Sequence, residues 1–211
     1  MVRPLTPIIS RDKAVEKAIE IIDRDGLEWF SLPKLARAMN VKTPSLYHHF
    51  ASRADLAFAV AGAIVRETRL PPRPDDPRRW QDWFVMLAVS FREVVFRHRN
   101  AALLLLEHVP RELFLAVYDE AAAVLEEAGV PPAVHLQIVE GLETVVYGAA
   151  LTDAVRDPAT VGFNFPITDP KTFTHLSRAV KANTMPAEQL PEAKVRSFLL
   201  GVLQQHAESA M

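Results

Sequence analysis

Residues 41–56 of this chain read Val-Lys-Thr-Pro-Ser-Leu-Tyr-His-His-Phe-Ala-Ser-Arg-Ala-Asp-Leu, and no other stretch is as specific. The pattern predicts a short helix over 43–49, preceded by a helix over 32–39 and a turn at 40–42. Two short helices joined in this way are typical of a helix-turn-helix, whose second helix enters the DNA major groove. Val41, Leu46 and Phe50 form the predicted inward face, which leaves the polar side chains for DNA.

The polar residues around this turn are suited to DNA contacts. Thr43 and Ser45 carry hydroxyls that can bond base edges, and Pro44 can pack against a thymine methyl. Ser31 precedes the first helix of the pair, where its hydroxyl and the N–H groups can bind phosphate. The predicted DNA contacts are Ser31, Lys42, Thr43, Pro44, Ser45, Tyr47, His48, His49 and Arg53.

Charge gives only mild support for this interpretation. The 211 residues include 24 Lys and Arg against 26 Asp and Glu, a formal net charge of −2. Such a balance predicts neither a nucleic-acid binder nor a membrane-surface protein. Residues 1–56 alone hold nine basic and seven acidic residues, a small local excess of positive charge. The alternative interpretation is a helical connector whose polar residues occur by chance.

The rest of the chain has apolar residues at helical spacing and no alternating strand pattern, so the predicted fold class is all-α. Further helices are predicted at 11–24, 53–67, 77–98, 101–107, 111–128, 132–156, 170–182 and 191–208. Proline-rich residues 70–77 predict a linker. The residue types at 157–169 predict a loop. The sequence leaves open whether Phe163 and Phe165 of this loop close over a pocket.

Composition excludes several function classes. The chain has no cysteine, which excludes a disulfide framework, a zinc finger, an iron–sulfur site and thiol catalysis. No apolar run approaches the ~18 residues that a membrane span needs, and the first residues lack a signal-peptide core, so we expect a cytoplasmic protein. Without a Gly-rich phosphate loop or a nucleophile elbow, we expect no enzyme activity, no cofactor and no metal site.

The segment from Leu35-Ala to Leu56 resembles the DNA-binding segment of tetracycline-repressor-type (TetR family) regulators. The likeness covers about residues 10–65, including the aromatic-His-aromatic end of the recognition helix and the Ser-Arg-x-x-Leu start of helix four. Residues 80–100 are similar to the start of the ligand domain in the tetracycline-repressor branch. The resemblance implies a homodimeric repressor, with a DNA-binding domain at 1–56 and a helical ligand-binding and dimerisation domain at 57–211.

Two departures from the family pattern change what is expected. Pro33 stands where the second helix often carries a base-reading basic residue, so specificity should rest more on helix three. Leu105 stands where the tetracycline repressors place a histidine that helps to bind magnesium and drug. An aliphatic side chain cannot coordinate magnesium. We therefore expect a hydrophobic or aromatic effector rather than a metal–tetracycline complex.

The helices after residue 80 are rich in apolar and aromatic side chains, some of which are predicted to line an effector pocket. The candidates are Phe84, Leu87, Phe91, Leu104, Tyr118, Glu143 and Tyr147, and ordinary core packing is the alternative for each. Glu140 and Glu143 are either surface or functional residues, because an unpaired buried carboxylate is costly. Residues 134–155 and 195–203 are predicted to form the dimer face, as a four-helix bundle.

The sequence therefore predicts a ligand-responsive transcriptional regulator that binds a palindromic double-stranded operator as a homodimer. Free dimer would place its recognition helices about 34 Å apart, one DNA turn. An effector would tilt helix four, change that spacing and release the operator. The alternative from a different class is a helical small-molecule-binding protein without specific DNA binding, which Pro33 and the weak charge excess favour.

Overall fold

The computed structural model describes residues 10–108, 111–155 and 169–209. Within these ranges the chain is all-α, which confirms the predicted fold class. The predicted loop at 157–169, with Phe163 and Phe165, lies outside the described residues except for Asp169. The α-helices are α1 (Arg11–Asp25), α2 (Leu32–Ala38), α3 (Thr43–Tyr47), α4 (Arg53–Val65), α5 (Trp80–Arg97), α6 (Ala102–Glu107), α7 (Leu115–Glu127), α8 (His135–Val155), α9 (Thr174–Ala182) and α10 (Leu190–Ser209).

The helix boundaries near the N-terminus follow from capping residues. The Ser10 hydroxyl accepts a hydrogen bond from the Lys13 N–H at 3.2 Å and begins α1. Gly26, with φ of 93°, ends that helix, and its N–H donates to the Ile22 carbonyl at 2.9 Å. After α2 the chain turns at Asn40, whose φ of 54° is left-handed. Asparagine is among the residues that tolerate this region.

The recognition helix is shorter than the sequence predicts. Periodicity predicted helix over 43–49, whereas α3 ends at Tyr47. The N–H groups of His49 and Phe50 both donate to the Leu46 carbonyl at 2.9 Å, so the last turn tightens before the chain continues to α4.

The chain divides into two compact units. The N-terminal unit consists of Met1–Thr68 and Val94–Leu115, and the C-terminal unit of Arg69–Glu93 and Ala116–Met211. The predicted domain boundary after residue 56 remains a prediction. In the structure α4 and the end of α5 group with the three N-terminal helices.

The C-terminal unit has an aromatic core on α5. Trp83 is fully buried, and the Phe84 ring meets it edge-on at a centroid distance of 5.0 Å. The Trp83 indole N–H donates to the Pro71 carbonyl at 3.0 Å, which anchors the proline-rich linker to the core. Arg73 also holds this linker, because its guanidinium donates to both carboxylate oxygens of Glu120 on α7, at 2.6 and 2.8 Å.

In the C-terminal unit, α8 packs against α10 at Gly141. Gly141 on α8 leaves room for the Phe198 ring, since a β-carbon at position 141 would overlap the tip of that ring. Real β-carbons do not approach other heavy atoms so closely. A residue without a side chain is therefore required where the two helices cross.

Gly141→Ala should destabilise the protein by about 1–3 kcal/mol, the usual cost of overpacking a fitted contact. The matched double variant Gly141→Ala with Phe198→Ala removes the ring that the new methyl meets. We expect it to be less destabilised than the sum of the two single variants, as measured by urea unfolding. Strictly additive effects would show that the glycine is not required by this contact.

No helix within the described ranges is both long and apolar enough to cross a membrane.

Candidate DNA-binding surface and ligand pocket

The turn between α2 and α3 is held by backbone and core contacts. The Val41 N–H donates to the Ala36 carbonyl at 2.9 Å, which closes the turn onto α2. Leu46 and Phe50 are both fully buried, so the predicted inward face of the recognition segment is confirmed. Val41 is half-buried beside them. Of the other side chains of α3, those of Pro44 and Tyr47 are exposed.

None of the nine predicted DNA contacts is buried in the N-terminal unit. Tyr47 keeps 54% of its surface exposed, so its ring and hydroxyl are accessible to a partner. Exposed positions are Lys42, Pro44, Tyr47, His48 and Arg53, and half-buried positions are Ser31, Thr43, Ser45 and His49. The sequence predicts that all seven candidates from Lys42 to His49 are exposed. Three of them, Thr43, Ser45 and His49, are instead half-buried.

Two of the nine residues also have structural contacts. The Ser31 hydroxyl accepts a hydrogen bond from the Lys34 N–H at 3.4 Å and begins α2. Arg53 donates from Nε to the Phe30 carbonyl at 3.2 Å, and its guanidinium lies over the Phe30 ring. These contacts limit the positions that both side chains can take at a DNA backbone.

Arg11, which the sequence did not single out, holds the recognition segment from the first turn of α1. Its guanidinium donates to the His49 carbonyl and, at 2.7 Å, to the Asp55 carboxylate, and it covers the Phe50 ring. The Arg11 guanidinium and the Ala51 N–H hold the pKa of Asp55 below its usual value. No sequence signal shows this contact, because Arg11 and His49 lie 38 positions apart.

In the C-terminal unit, four of the seven pocket candidates form one cluster on α5, α7 and α8. The Tyr118 hydroxyl donates to the Glu143 carboxylate at 2.7 Å. The Phe91 and Tyr147 rings lie 4.4 Å apart between centroids. Burial raises the pKa of Tyr147, and the nearby Glu143 charge raises it further, so its phenol stays neutral.

The other three candidates lie elsewhere. Phe84 is buried in the core between Trp80 and Trp83, and Leu87 packs at the edge of that core. Leu104 is buried and belongs to the N-terminal unit. Of the two carboxylates left open by the sequence, Glu140 is exposed, whereas Glu143 is half-buried within the cluster.

Comparisons with known proteins identify both halves of the chain. A family model described as "Bacterial regulatory proteins, tetR family" matches residues 14–60. A second, described as "Tetracyclin repressor-like, C-terminal domain", matches residues 73–194, more than half of the chain. The chain belongs to the tetR family. It is therefore a DNA-binding transcriptional regulator of the ligand-responsive type, a class whose members are not enzymes.

Individual relatives of this tetR-family regulator are distant. The class E tetracycline repressor of Escherichia coli is 28% identical over 150 residues, which cover 69% of each chain. An HTH-type transcriptional regulator of Saccharopolyspora erythraea is 33% identical over 98 residues, 46% of this chain and 41% of that protein. The solved structure of apo ActR from Streptomyces coelicolor has a TM-score of 0.77 at 21% identity, covering 99% of this chain and 100% of ActR. That similarity shows the fold.

The residues of this chain do not fit the magnesium ion that the resemblance to the tetracycline repressors implies. Position 105, where the resemblance implies a metal-binding histidine, holds Leu105, which is fully buried and has no donor atom. No group of three or more His, Asp or Glu side chains is placed to hold a metal ion in the part of the chain that the structure describes.

Proposed function

We propose that this tetR-family regulator is a homodimeric repressor that a hydrophobic or aromatic small molecule releases from a palindromic operator. The observation that carries the proposal is the helix-turn-helix, in which Leu46 and Phe50 fill the core while Tyr47 and His48 face outward. A protein that binds the chromosome acts in the cytoplasm of a bacterium, so we expect that location.

The proposed DNA contacts divide into two groups. Thr43, Pro44 and Ser45 begin the recognition helix, and its N-terminal residues contact base edges in this motif. The second group contacts phosphates, fixes the register and makes binding dependent on salt. It comprises Ser31, Lys42, Tyr47, His48, His49 and Arg53.

Exposed apolar residues on α8 and α10 support the proposed dimer face. Leu136 on α8 has 81% of its surface exposed, and Leu200 on α10 has 58%. Both side chains would leave water if a second copy packed on these helices, which is favourable for apolar surface. A second copy with two-fold symmetry would bury both helices in a four-helix bundle, which would pair the recognition helices for a palindrome.

The Phe91, Tyr118, Glu143 and Tyr147 cluster supports an effector site in the C-terminal unit. Two aromatic rings offer apolar surface, while a phenol and a carboxylate can orient a ligand by hydrogen bonds. The fold similarity to ActR, solved in complex with actinorhodin, also supports a small-molecule effector. An effector must bind the DNA-incompetent form more tightly, because equal affinity for both forms shifts nothing.

Selection of genomic fragments by the full-length protein tests the DNA-binding half of the proposal. We expect recovered fragments to share an inverted repeat, and their affinity to fall steeply as salt is raised. Absence of DNA binding even at low salt would instead favour a helical small-molecule binder. The genes beside the recovered fragments would indicate the class of effector to test.

Glu143→Ala should raise the concentration of an aromatic effector that half-releases the operator by roughly tenfold, since a hydrogen bond to a charged group is lost. Glu140→Ala is the matched control, because Glu140 lies on the same helix and is exposed. Effectors come from a screen of aromatic compounds for release of a labelled operator. Equal responses of the two variants would remove Glu143 from the effector site.

A further inference from the structure

The end of α5 places a histidine between two carboxylates. His98 follows the last residue of α5, and only 5% of its surface is exposed. Its Nδ1 lies 2.8 Å from a carboxylate oxygen of Asp23, in the last turn of α1. Its Nε2 lies 3.2 Å from a carboxylate oxygen of Glu67, two residues after α4 ends. One ring thus connects the ends of two helices of the N-terminal unit.

Both contacts are favourable together only when the ring is an imidazolium. A neutral imidazole has one N–H, so its second nitrogen would present a lone pair to an acceptor oxygen. The other oxygen of Asp23 is buried without a hydrogen-bond partner among the described residues. The hydrogen bond from His98 is therefore the one that this carboxylate receives there.

Neighbouring groups complete this site. The Arg97 guanidinium donates to the Glu67 carboxylate, so Glu67 lies between two positive groups when His98 is charged. The Asn100 amide donates to the carbonyls of Ile22 and Asp23, at 3.2 and 2.9 Å. The charged side chains that are hydrogen-bonded to the ring, directly or through Glu67, are therefore Asp23 from α1, Glu67 after α4 and Arg97 from α5.

The position of the site connects it to the DNA-binding surface. At their starts, α1 and α4 are joined by Arg11, Asp55 and the His49 carbonyl, directly beside the recognition helix. At their other ends they are joined through His98. Because α1 has 15 residues and is about 22 Å long, these two sets of contacts lie far apart along the helix. Together they fix the angle between α1 and α4, and the contacts of His98 with Asp23 and Glu67 are called the His98 clamp below.

We propose that His98 is a positioning residue for operator binding, which as an imidazolium clamps Asp23 of α1 to Glu67 after α4. Loss of the ring proton breaks one of the two contacts and loosens α4 against α1. The helix-turn-helix is then presented to DNA in a wider range of orientations, and specific binding weakens. The inference rests on the proposed DNA-binding function, and it adds a dependence on pH to that function.

The test measures binding of the full-length protein to a labelled duplex recovered from genomic DNA, between pH 6.0 and 8.5, by fluorescence anisotropy. We expect His98→Gln to bind about tenfold more weakly than wild type at pH 6.5. The difference should shrink as pH rises, because deprotonated wild type loses the same clamp. His48 and His49 are present in both proteins, so the difference between the two profiles isolates the contribution of His98. His175→Gln, on exposed α9, is the control and should follow wild type.

A second variant separates charge from packing. In the double variant Asp23→Asn with Glu67→Gln, a neutral ring can donate to one amide and accept from the other, so the clamp needs no ring charge. We expect this variant to bind the operator with a flatter pH profile than wild type. If circular dichroism shows that His98→Gln fails to fold, the pH profile of this double variant tests the inference by itself.

Three results would overturn the inference. These are a folded His98→Gln that binds within twofold of wild type at every pH, parallel profiles of wild type and His98→Gln, or a double variant that keeps the wild-type pH profile. Wild-type protein that binds no DNA would contradict the proposed function itself, so the two failures are distinguishable.

Discussion

Thr43→Ala combined with Tyr47→Ala should abolish sequence-specific DNA binding while leaving the fold and the dimer intact. Tyr47 is exposed and Thr43 half-buried, whereas the fully buried Leu46 fixes the helix to the core. A base contact of Thr43 and a phosphate contact of Tyr47 would both be lost. At about 1–3 kcal/mol for each specific contact, operator affinity should fall at least 30-fold.

The measurement is a gel shift with the selected operator and with an unrelated duplex of equal length. Phe173→Ala is the matched control, since it removes an exposed aromatic ring from the C-terminal unit. Size-exclusion chromatography and circular dichroism should show both variants folded and in the wild-type oligomeric state. Operator binding that is unchanged in the double variant would reject the assignment of α3 as the recognition helix.

Trp83→Ala is expected to have the largest effect on stability, a loss of about 3–5 kcal/mol. The side chain is fully buried in the α5 core, and truncation also leaves the Pro71 carbonyl without its donor. Domains of this kind are stable by only about 5–15 kcal/mol, so a large part of the folding free energy would be lost. Urea unfolding followed by circular dichroism gives the change directly.

Trp83→Phe is the control for this substitution. It keeps an aromatic ring against Phe84 and removes the indole N–H that binds the linker. We expect a smaller loss than for alanine. If both variants lost the same stability, the hydrogen bond to the linker, rather than core volume, would carry the effect of Trp83.

Local patterns allowed much of the N-terminal unit to be predicted. Ser10 and Gly26 bound the first helix as their capping chemistry predicts, and Asn40 adopts the left-handed turn. The burial of Leu46 and Phe50 follows from their spacing on one helix face. Each of these predictions depends on residues within four positions of one another, where helix geometry is fixed.

Contacts between distant segments could not be predicted in the same way. Periodicity shows that Phe84 faces inward, but it cannot separate a core position among tryptophans from a pocket wall. Phe91 and Tyr147 lie 56 positions apart in sequence, and their stacking depends on how α5 and α8 cross. The same holds for His98, which meets Asp23 across 75 positions. A single sequence does not show which distant residues are in contact.

The N-terminal unit is made of two separate segments of the chain, which affects how hybrid regulators must be built. Its core includes Ala101, Leu104 and Leu105, which the chain supplies only after it has passed through Arg69–Glu93. A DNA-binding domain transferred as a single gene fragment that ends at codon 56 or 68 would lack these side chains. It would therefore expose the apolar surface that they cover. Grafts that exchange specificity between relatives should therefore carry two gene pieces, the second encoding Val94–Leu115.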